Sequence, residues 1–143
     1  MPIVEINDIQ MYYQQAGDGK DLVLISGLSA DHQAWNTVYK TLCSSYKVLN
    51  FDNRGAGQSS APKEAYTIEQ MADDTAALLD RLNIKRALIV GHSMGGDIAQ
   101  QFAIRYPARV DKLILISSKA QSSHRANMIR KMRSQLAKQN LPA

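Results

Sequence analysis

Residues 86 to 96 read Arg-Ala-Leu-Ile-Val-Gly-His-Ser-Met-Gly-Gly, an apolar run that leads into a serine flanked by glycines. The apolar run predicts a buried strand, and the residues from Met94 onward predict a helix. A serine between Gly91 and Gly95 at such a turn fits the Gly-x-Ser-x-Gly pattern of a nucleophile elbow. Because the turn is tight, we expect a strained backbone at Ser93 and expect the two glycines to leave room for neighbouring backbone.

The rest of the chain alternates apolar runs with helical patterns. Thr67 and Gln70 predict a capping box at the start of the clearest helix. The predicted strands are Ile3–Ile6, Ile9–Gln14, Leu22–Ser26, Lys47–Asp52, Arg86–Val90 and Leu113–Ser117, and the predicted helical segments are Trp35–Cys43, Thr67–Leu82, Met94–Tyr106 and Arg125–Lys138. This order predicts an α/β fold, with a mostly parallel sheet and crossover helices.

The elbow pattern also places the start of a helix behind Ser93. A helix N-terminus offers free N–H groups and partial positive charge, which stabilise a developing oxyanion. The alternative interpretation is a glycine-rich turn that binds a phosphate. The sequence has no Gly-x-Gly-x-x-Gly after its first strand and no Gly-Lys-Ser/Thr, so a Rossmann or P-loop site is excluded.

Three motifs between Ile3 and Ser118 resemble those of the α/β-hydrolase family. Gly91–Gly96 matches the family's elbow, and residues 52 to 59, Asp-Asn-Arg-Gly-Ala-Gly-Gln-Ser, match its Asp-x-Arg-Gly-x-Gly-x-Ser loop. Residues 26 to 28, Ser-Gly-Leu, resemble its His-Gly-x oxyanion loop, with serine in place of the usual histidine. The resemblance implies the N-terminal half of an α/β-hydrolase core.

The same resemblance implies roles for individual residues. It makes Ser93 the nucleophile and the backbone N–H groups of Leu28 and Met94 the oxyanion hole. A serine nucleophile argues against the dehalogenase and epoxide-hydrolase branches, which place aspartate there. The sequence then resembles small esterases, lactonases, perhydrolases and carbon–carbon bond hydrolases, without choosing among them. We expect Asp52 and Arg54 to be structural and to pin their turn through hydrogen bonds to backbone.

A serine hydroxyl needs a base to take its proton and an acid to orient that base. After the elbow the acidic residues are Asp97 and Asp111, and neither position resembles that of the family's acid. Of the three histidines, we expect His92 to pack or make a local hydrogen bond, His32 to line the mouth of the site, and His124 to open the last helix. None matches the family's catalytic histidine, which follows much later in the chain.

We interpret residues 1 to 118 as the N-terminal part of a truncated α/β-hydrolase core and residues 119 to 143 as the start of a cap or lid segment. In such a core, Leu113–Ser117 becomes an apolar sheet edge, and free edges pair with other chains. We expect a partner at this edge, either a second copy of the chain or a complementing C-terminal fragment.

Composition limits the other classes of function. The 143 residues carry a net charge of +4, but residues 1 to 118 hold 11 basic and 13 acidic residues, so they lack the basic surface of a nucleic-acid-binding domain. The basic segment Arg125–Lys138 is interpreted as part of the cap, and binding to an anionic membrane is the less favoured interpretation. Cys43 is a single cysteine, which excludes an internal disulfide and a cysteine metal cluster.

The sequence predicts neither a membrane span nor a signal peptide, which favours a cytoplasmic protein. We expect no metal and no organic cofactor, because the oxyanion hole supplies the electrophilic contribution. The first hypothesis is a serine-dependent hydrolase of a small ester or related acyl substrate, catalytically incomplete as this chain alone. The alternative is a non-catalytic remnant of the same fold that acts as a binding or dimerisation module.

Overall fold

One six-stranded sheet, in the order β1-β2-β4-β3-β5-β6, organises the chain in a computed structural model that describes residues 2–120. The strands are β1 (Ile3–Ile6), β2 (Ile9–Ala16), β3 (Asp21–Ile25), β4 (Lys47–Phe51), β5 (Ala87–His92) and β6 (Val110–Ile116), and the helices are α1 (Asn36–Leu42), α2 (Ile68–Arg81) and α3 (Met94–Arg105). The first two strands pair antiparallel, as do β2 and β4, whereas β4, β3, β5 and β6 are mutually parallel. The predicted α/β architecture is confirmed.

The parallel strands carry apolar side chains on both faces, as a sheet covered by helices on both sides requires. Along β3, Val23 and Ile25 face the core that contains α2 and α3. Leu22 and Leu24 face the opposite core, where Trp35 and the side chains of α1 pack. The continuous apolar run that predicted this strand therefore reflects burial on both of its faces.

Helix α2 begins as the sequence predicts. The Thr67 side chain accepts a hydrogen bond of 3.0 Å from the backbone N–H of Gln70, and Thr67 itself has an extended backbone. This contact satisfies one of the N–H groups that a helix start leaves without a partner inside the helix.

The outer strand β6 starts at Val110, earlier than the apolar run indicates. It lies at the sheet edge, and four consecutive side chains are 37% to 45% exposed: Leu113, Ile114, Leu115 and Ile116. A run of this composition is typical of an interior strand, so its exposure here is a feature of its position at the edge.

Residues 121 to 143 are not described, so the predicted helix Arg125–Lys138, His124 and nearly all of the predicted cap segment lie outside the described residues. Within residues 2–120, no helix is both long and apolar enough to cross a membrane.

Candidate active site

Ser93 sits at the junction between β5 and α3, where the sequence places the elbow. Its φ of 56° and ψ of −121° lie in a region that residues with side chains rarely adopt. The residue is exposed, and it precedes the first residue of α3. Strained residues of this kind cluster at functional sites.

The two elbow glycines are required by their neighbours. A Cβ atom on Gly91 would overlap the carbonyl oxygen of Gly95, and a Cβ atom on Gly95 would overlap the carbonyl oxygen of Ile25. The start of α3 therefore packs directly against the end of β3. The sequence predicted this reason for both glycines, and the structure agrees.

The loop that follows β3 lies against the elbow, because β3 and β5 are neighbours in the sheet and Ile25 is in register with Gly91. A Cβ atom on Gly27 would lie 3.2 Å from Cβ of Ser93 and 3.7 Å from its Oγ. Gly27, the middle residue of Ser26-Gly27-Leu28, is thus beside the Ser93 side chain.

Ser26 is buried, and its hydroxyl is bonded on both sides. Oγ donates a hydrogen bond of 3.1 Å to the carbonyl of Asp31 and accepts one of 2.9 Å from Nε1 of Trp35. The Asn53 side-chain amide donates a further bond of 3.1 Å to the Ser26 carbonyl. Sequence reasoning missed Trp35 and Asn53 as supports of this loop; the only signal was that Trp35 is the sole tryptophan of the chain.

Trp35 also contacts His92, the residue before Ser93. The two rings meet edge to face, with centroids 6.4 Å apart and an interplanar angle of 83°. This agrees with the packing role predicted for His92. Trp35 therefore contacts both Ser26, which precedes Gly27, and His92, the strand residue that precedes Ser93.

His32 differs from its predicted place at the mouth of the site, because it is only 6% exposed. Its backbone N–H and its Nδ1 lie 2.6 Å and 2.8 Å from Oδ1 of Asp52, and the Tyr12 ring lies against its imidazole at a centroid distance of 4.7 Å. The backbone N–H of Gln58 donates to the other carboxylate oxygen of Asp52 at 2.8 Å. Asp52 therefore ties two loops together through backbone bonds, as the sequence predicted for it.

One cluster of side chains has atoms of the kind that ligate metals within 4.8 Å of one another. Its members are Asp31, His32 and Asp52. The Asp31 carboxylate already accepts a bond from the backbone N–H of Gln33, and both Asp52 oxygens already accept bonds. A Cβ atom on Gly57 would overlap the Asp52 carboxylate and lie 2.9 Å from Cβ of Asp31, so the cluster is also closely packed. The hydrogen bonds of this cluster hold neighbouring loops together.

Arg54 has different partners from those predicted. It bonds carboxylates, not backbone: Nε and Nη2 donate to Asp74 at 2.5 Å and 2.8 Å, and Nη2 also donates to Asp8 at 2.8 Å. Hydrogen bonding to Asp74 raises the pKa of Arg54 above its ordinary value, against the effect of burial. The separate hydrogen bond from Arg54 to Asp8 lowers the pKa of Asp8. The pairs join α2, the β1–β2 turn and the loop after β4.

The two acidic residues after the elbow make contacts of their own, Asp111 from within β6 and Asp97 from α3. Asp111 forms ion pairs with Arg86 at 3.5 Å and Lys20 at 4.0 Å, and Asp97, in the first turn of α3, accepts a bond from Ser118 at 3.4 Å.

A family model described as alpha/beta hydrolase fold matches residues 21–141. A putative carbamate hydrolase of Pantoea ananatis, RutD, is 38% identical over 112 residues, which cover 75% of this chain and 41% of that protein. Two solved structures are also similar. An enol-lactonase from Burkholderia xenovorans LB400 superimposes with a TM-score of 0.76 at 34% identity, over 78% of this chain and 45% of that one.

The second structure is a thermophilic esterase from Thermogutta terrifontis. It superimposes with a TM-score of 0.85 at 31% identity, over 91% of this chain and 51% of the esterase. The chain spans 30% to 50% of the length of the curated relatives that it matches.

Proposed function

Because the chain belongs to the α/β-hydrolase family, we propose that it is the nucleophile-bearing part of a serine hydrolase that cleaves a small ester or a related acyl compound. The observation that carries the proposal is the backbone of Ser93, strained at a φ of 56° directly before α3 and adjacent to Gly27. A strained serine at a strand-to-helix turn is the arrangement that exposes a nucleophile above a parallel sheet.

In the proposed reaction, the Ser93 oxygen attacks the substrate carbonyl carbon and the carbonyl oxygen becomes an oxyanion. The backbone N–H groups of Leu28 and Met94 donate to that oxyanion, since one belongs to the loop beside Ser93 and the other to the start of α3. A base must accept the Ser93 proton as the bond forms, and an acid must orient this base. Neither of these two groups is among residues 2–120 in the proposal, because His32 is only 6% exposed with the Tyr12 ring against it and the ring of His92 packs on Trp35.

The substrate class is proposed from the names of similar proteins. Those names include an esterase, an enol-lactonase and a putative carbamate hydrolase. In each of these substrates an oxygen or nitrogen leaving group is attached to an acyl carbon. A serine nucleophile with an oxyanion hole suits that chemistry, so a small carboxylic ester or lactone is the first substrate to test.

The test is labelling of the full chain by an alkyl fluorophosphonate, read by intact mass and peptide mapping. Without base and acid, we expect slow labelling that is confined to Ser93, because an oxyanion hole alone retains part of the rate enhancement. Ser93→Ala should abolish the adduct. Ser44→Ala, which removes an exposed hydroxyl outside the site, should leave it unchanged. Labelling that persists in Ser93→Ala, or no adduct on the wild-type chain, would overturn the proposal.

The exposed apolar strand β6 favours a second candidate, a non-catalytic module that binds another copy of the chain. Its residues Leu113 to Ile116 are 37% to 45% exposed, and a free strand edge offers unpaired backbone groups to a second strand. The two candidates are separable by one variant, because Ser93→Ala removes the labelled hydroxyl and should leave association through β6 unchanged.

A further inference from the structure

Trp35 is the only tryptophan of the chain, and it is 8% exposed at the start of α1. Its side chain makes two contacts that the proposed hydrolase chemistry does not itself require. The indole N–H donates to the Ser26 hydroxyl, and the ring meets His92 edge to face. Ser26 leads into the loop that carries Leu28, and His92 precedes Ser93.

The contact with Ser26 fixes the direction of a backbone segment. The Ser26 hydroxyl uses its proton on the Asp31 carbonyl and a lone pair on the Trp35 N–H, while Asn53 holds the Ser26 carbonyl. Side chain and backbone of Ser26 are therefore both anchored one residue before Gly27, whose Cα lies beside the Ser93 side chain. This anchoring restrains the backbone that continues through Gly27 to the N–H of Leu28.

The contact with His92 acts on the other loop. Because His92 is the last residue of β5 and Ser93 follows it, the ring contact restrains the strand end from which the elbow departs. One buried side chain thus joins the loop and the elbow. Groups that stabilise a transition state must be held within about 0.5 Å of the productive geometry by the residues around them.

We propose that Trp35 is a positioning residue. Together with Ser26, it holds the Leu28 N–H at a fixed position relative to the Ser93 side chain. This inference rests on the proposed function, since the position of the Leu28 N–H affects a reaction only if Ser93 reacts. The serine at position 26 is then suited to its place, because a hydroxyl can accept from the indole and donate to Asp31 at the same time.

The test compares Trp35→Phe, Ser26→Ala and the double variant with the wild-type chain. Trp35→Phe keeps an aromatic ring at this position and removes the N–H donor together with part of the buried volume of the indole. We expect each single variant to lower the limiting rate of Ser93 labelling by a fluorophosphonate roughly tenfold, with the half-saturating concentration unchanged. The double variant should be no slower than the slower single variant, because both changes break the same hydrogen bond.

A merely structural role would lower the melting temperature and leave the labelling rate of the folded protein unchanged, and this result would overturn the inference. Rate losses that multiply in the double variant would overturn it as well. If Ser26→Ala does not fold, the comparison of Trp35→Phe with wild type still decides the matter. Ser44→Ala serves as the hydroxyl-deletion control.

A second measurement separates this inference from the proposed function. Hydrogen exchange at the Leu28 amide should be faster in Ser26→Ala and in Trp35→Phe than in the wild-type chain, whether or not Ser93 reacts. If wild-type Ser93 does not label but Leu28 exchange rises, the proposed function fails and the positioning of the loop stands. If labelling occurs and Leu28 exchange is unchanged in both variants, the positioning role fails alone.

Discussion

The backbone N–H of Ser93 donates a hydrogen bond of 2.9 Å to the carbonyl of Ile116. Ile116 is the last residue of β6, so the strained serine is tied to the strand at the exposed edge of the sheet. A change at this edge therefore acts on the backbone that carries Ser93.

We propose that the chain associates through β6 with a second copy of itself, and we predict that Ile114→Lys prevents this association. A charged side chain on an edge strand opposes pairing, because the partner strand would have to bury the charge. Sedimentation velocity across a concentration series should show association for wild type, weakened about tenfold or more in the variant. Ile104→Lys is the control, since Ile104 is 71% exposed on α3. A wild-type chain that stays monomeric at every concentration would contradict this prediction.

Gly95→Ala should destabilise the chain by about 1 to 3 kcal/mol and abolish labelling at Ser93. The added methyl group would overlap the backbone of Ile25, which cannot move without disturbing β3. Gly96→Ala is the comparison variant, because its methyl group would overlap Oγ and Cβ of Ser118, which follows β6 and is not held inside a strand, so we expect a smaller loss. Urea denaturation measures both variants. Equal losses at the two glycines would show that the contact with Ile25 is not responsible.

The free energy of unfolding should be higher for Ser93→Gly than for Ser93→Ala, by about 1 kcal/mol. Glycine adopts positive φ without a steric cost, whereas alanine keeps a Cβ atom in the strained conformation. Both variants lose the hydroxyl, so both should lose labelling. Thermal or urea denaturation gives the difference in stability. If the two variants are equally stable, the backbone at this residue is not strained.

Arg54→Met should cost about 3 to 5 kcal/mol of unfolding free energy. It leaves the carboxylate of Asp74, which is 1% exposed, buried without its cation. Arg105→Met is the matched control, because the Arg105–Asp73 pair is partly solvated and we expect its loss to cost far less than the loss of Arg54. Urea denaturation of both variants is the measurement. A small effect at Arg54 would mean that solvent reaches Asp74 when the guanidinium is removed.

The stabilising effect of Asp8 should depend on pH. Its hydrogen bond from Arg54 lowers its pKa below the ordinary value of 3.8, so the folded state favours the ionised form. The contribution is therefore fully present above pH 3.8 and is lost as the pH falls through the lower pKa of the folded state. Wild type should exceed Asp8→Asn in unfolding free energy at pH 6, and the gap should close under strongly acidic conditions.

The control for this pH series is Asp18→Asn, which alters an exposed carboxylate in the turn between β2 and β3. The difference between this control and wild type should not follow the Asp8 profile. A gap at Asp8 that stays constant down to the lowest pH would argue against the bond with Arg54 as its source.

The sequence by itself determined the features that depend on neighbours along the chain. The elbow glycines, the cap at Thr67 and the alternation of strands and helices were predictable, because tight turns, helix starts and periodic burial are set within a few residues. The resemblance to a family added the place of the loop at Gly27 beside Ser93.

The tertiary structure decided the contacts between residues far apart in sequence. It paired Arg54 with Asp74, buried His32 on Asp52 and brought Trp35 between Ser26 and His92. No periodic pattern predicts such pairs, because the partner of a buried polar group is chosen by the order of strands in the sheet and by the loops that leave the same edge. The exposure of β6 was decided in the same way, since an apolar run indicates a strand but its place in the sheet determines what covers it.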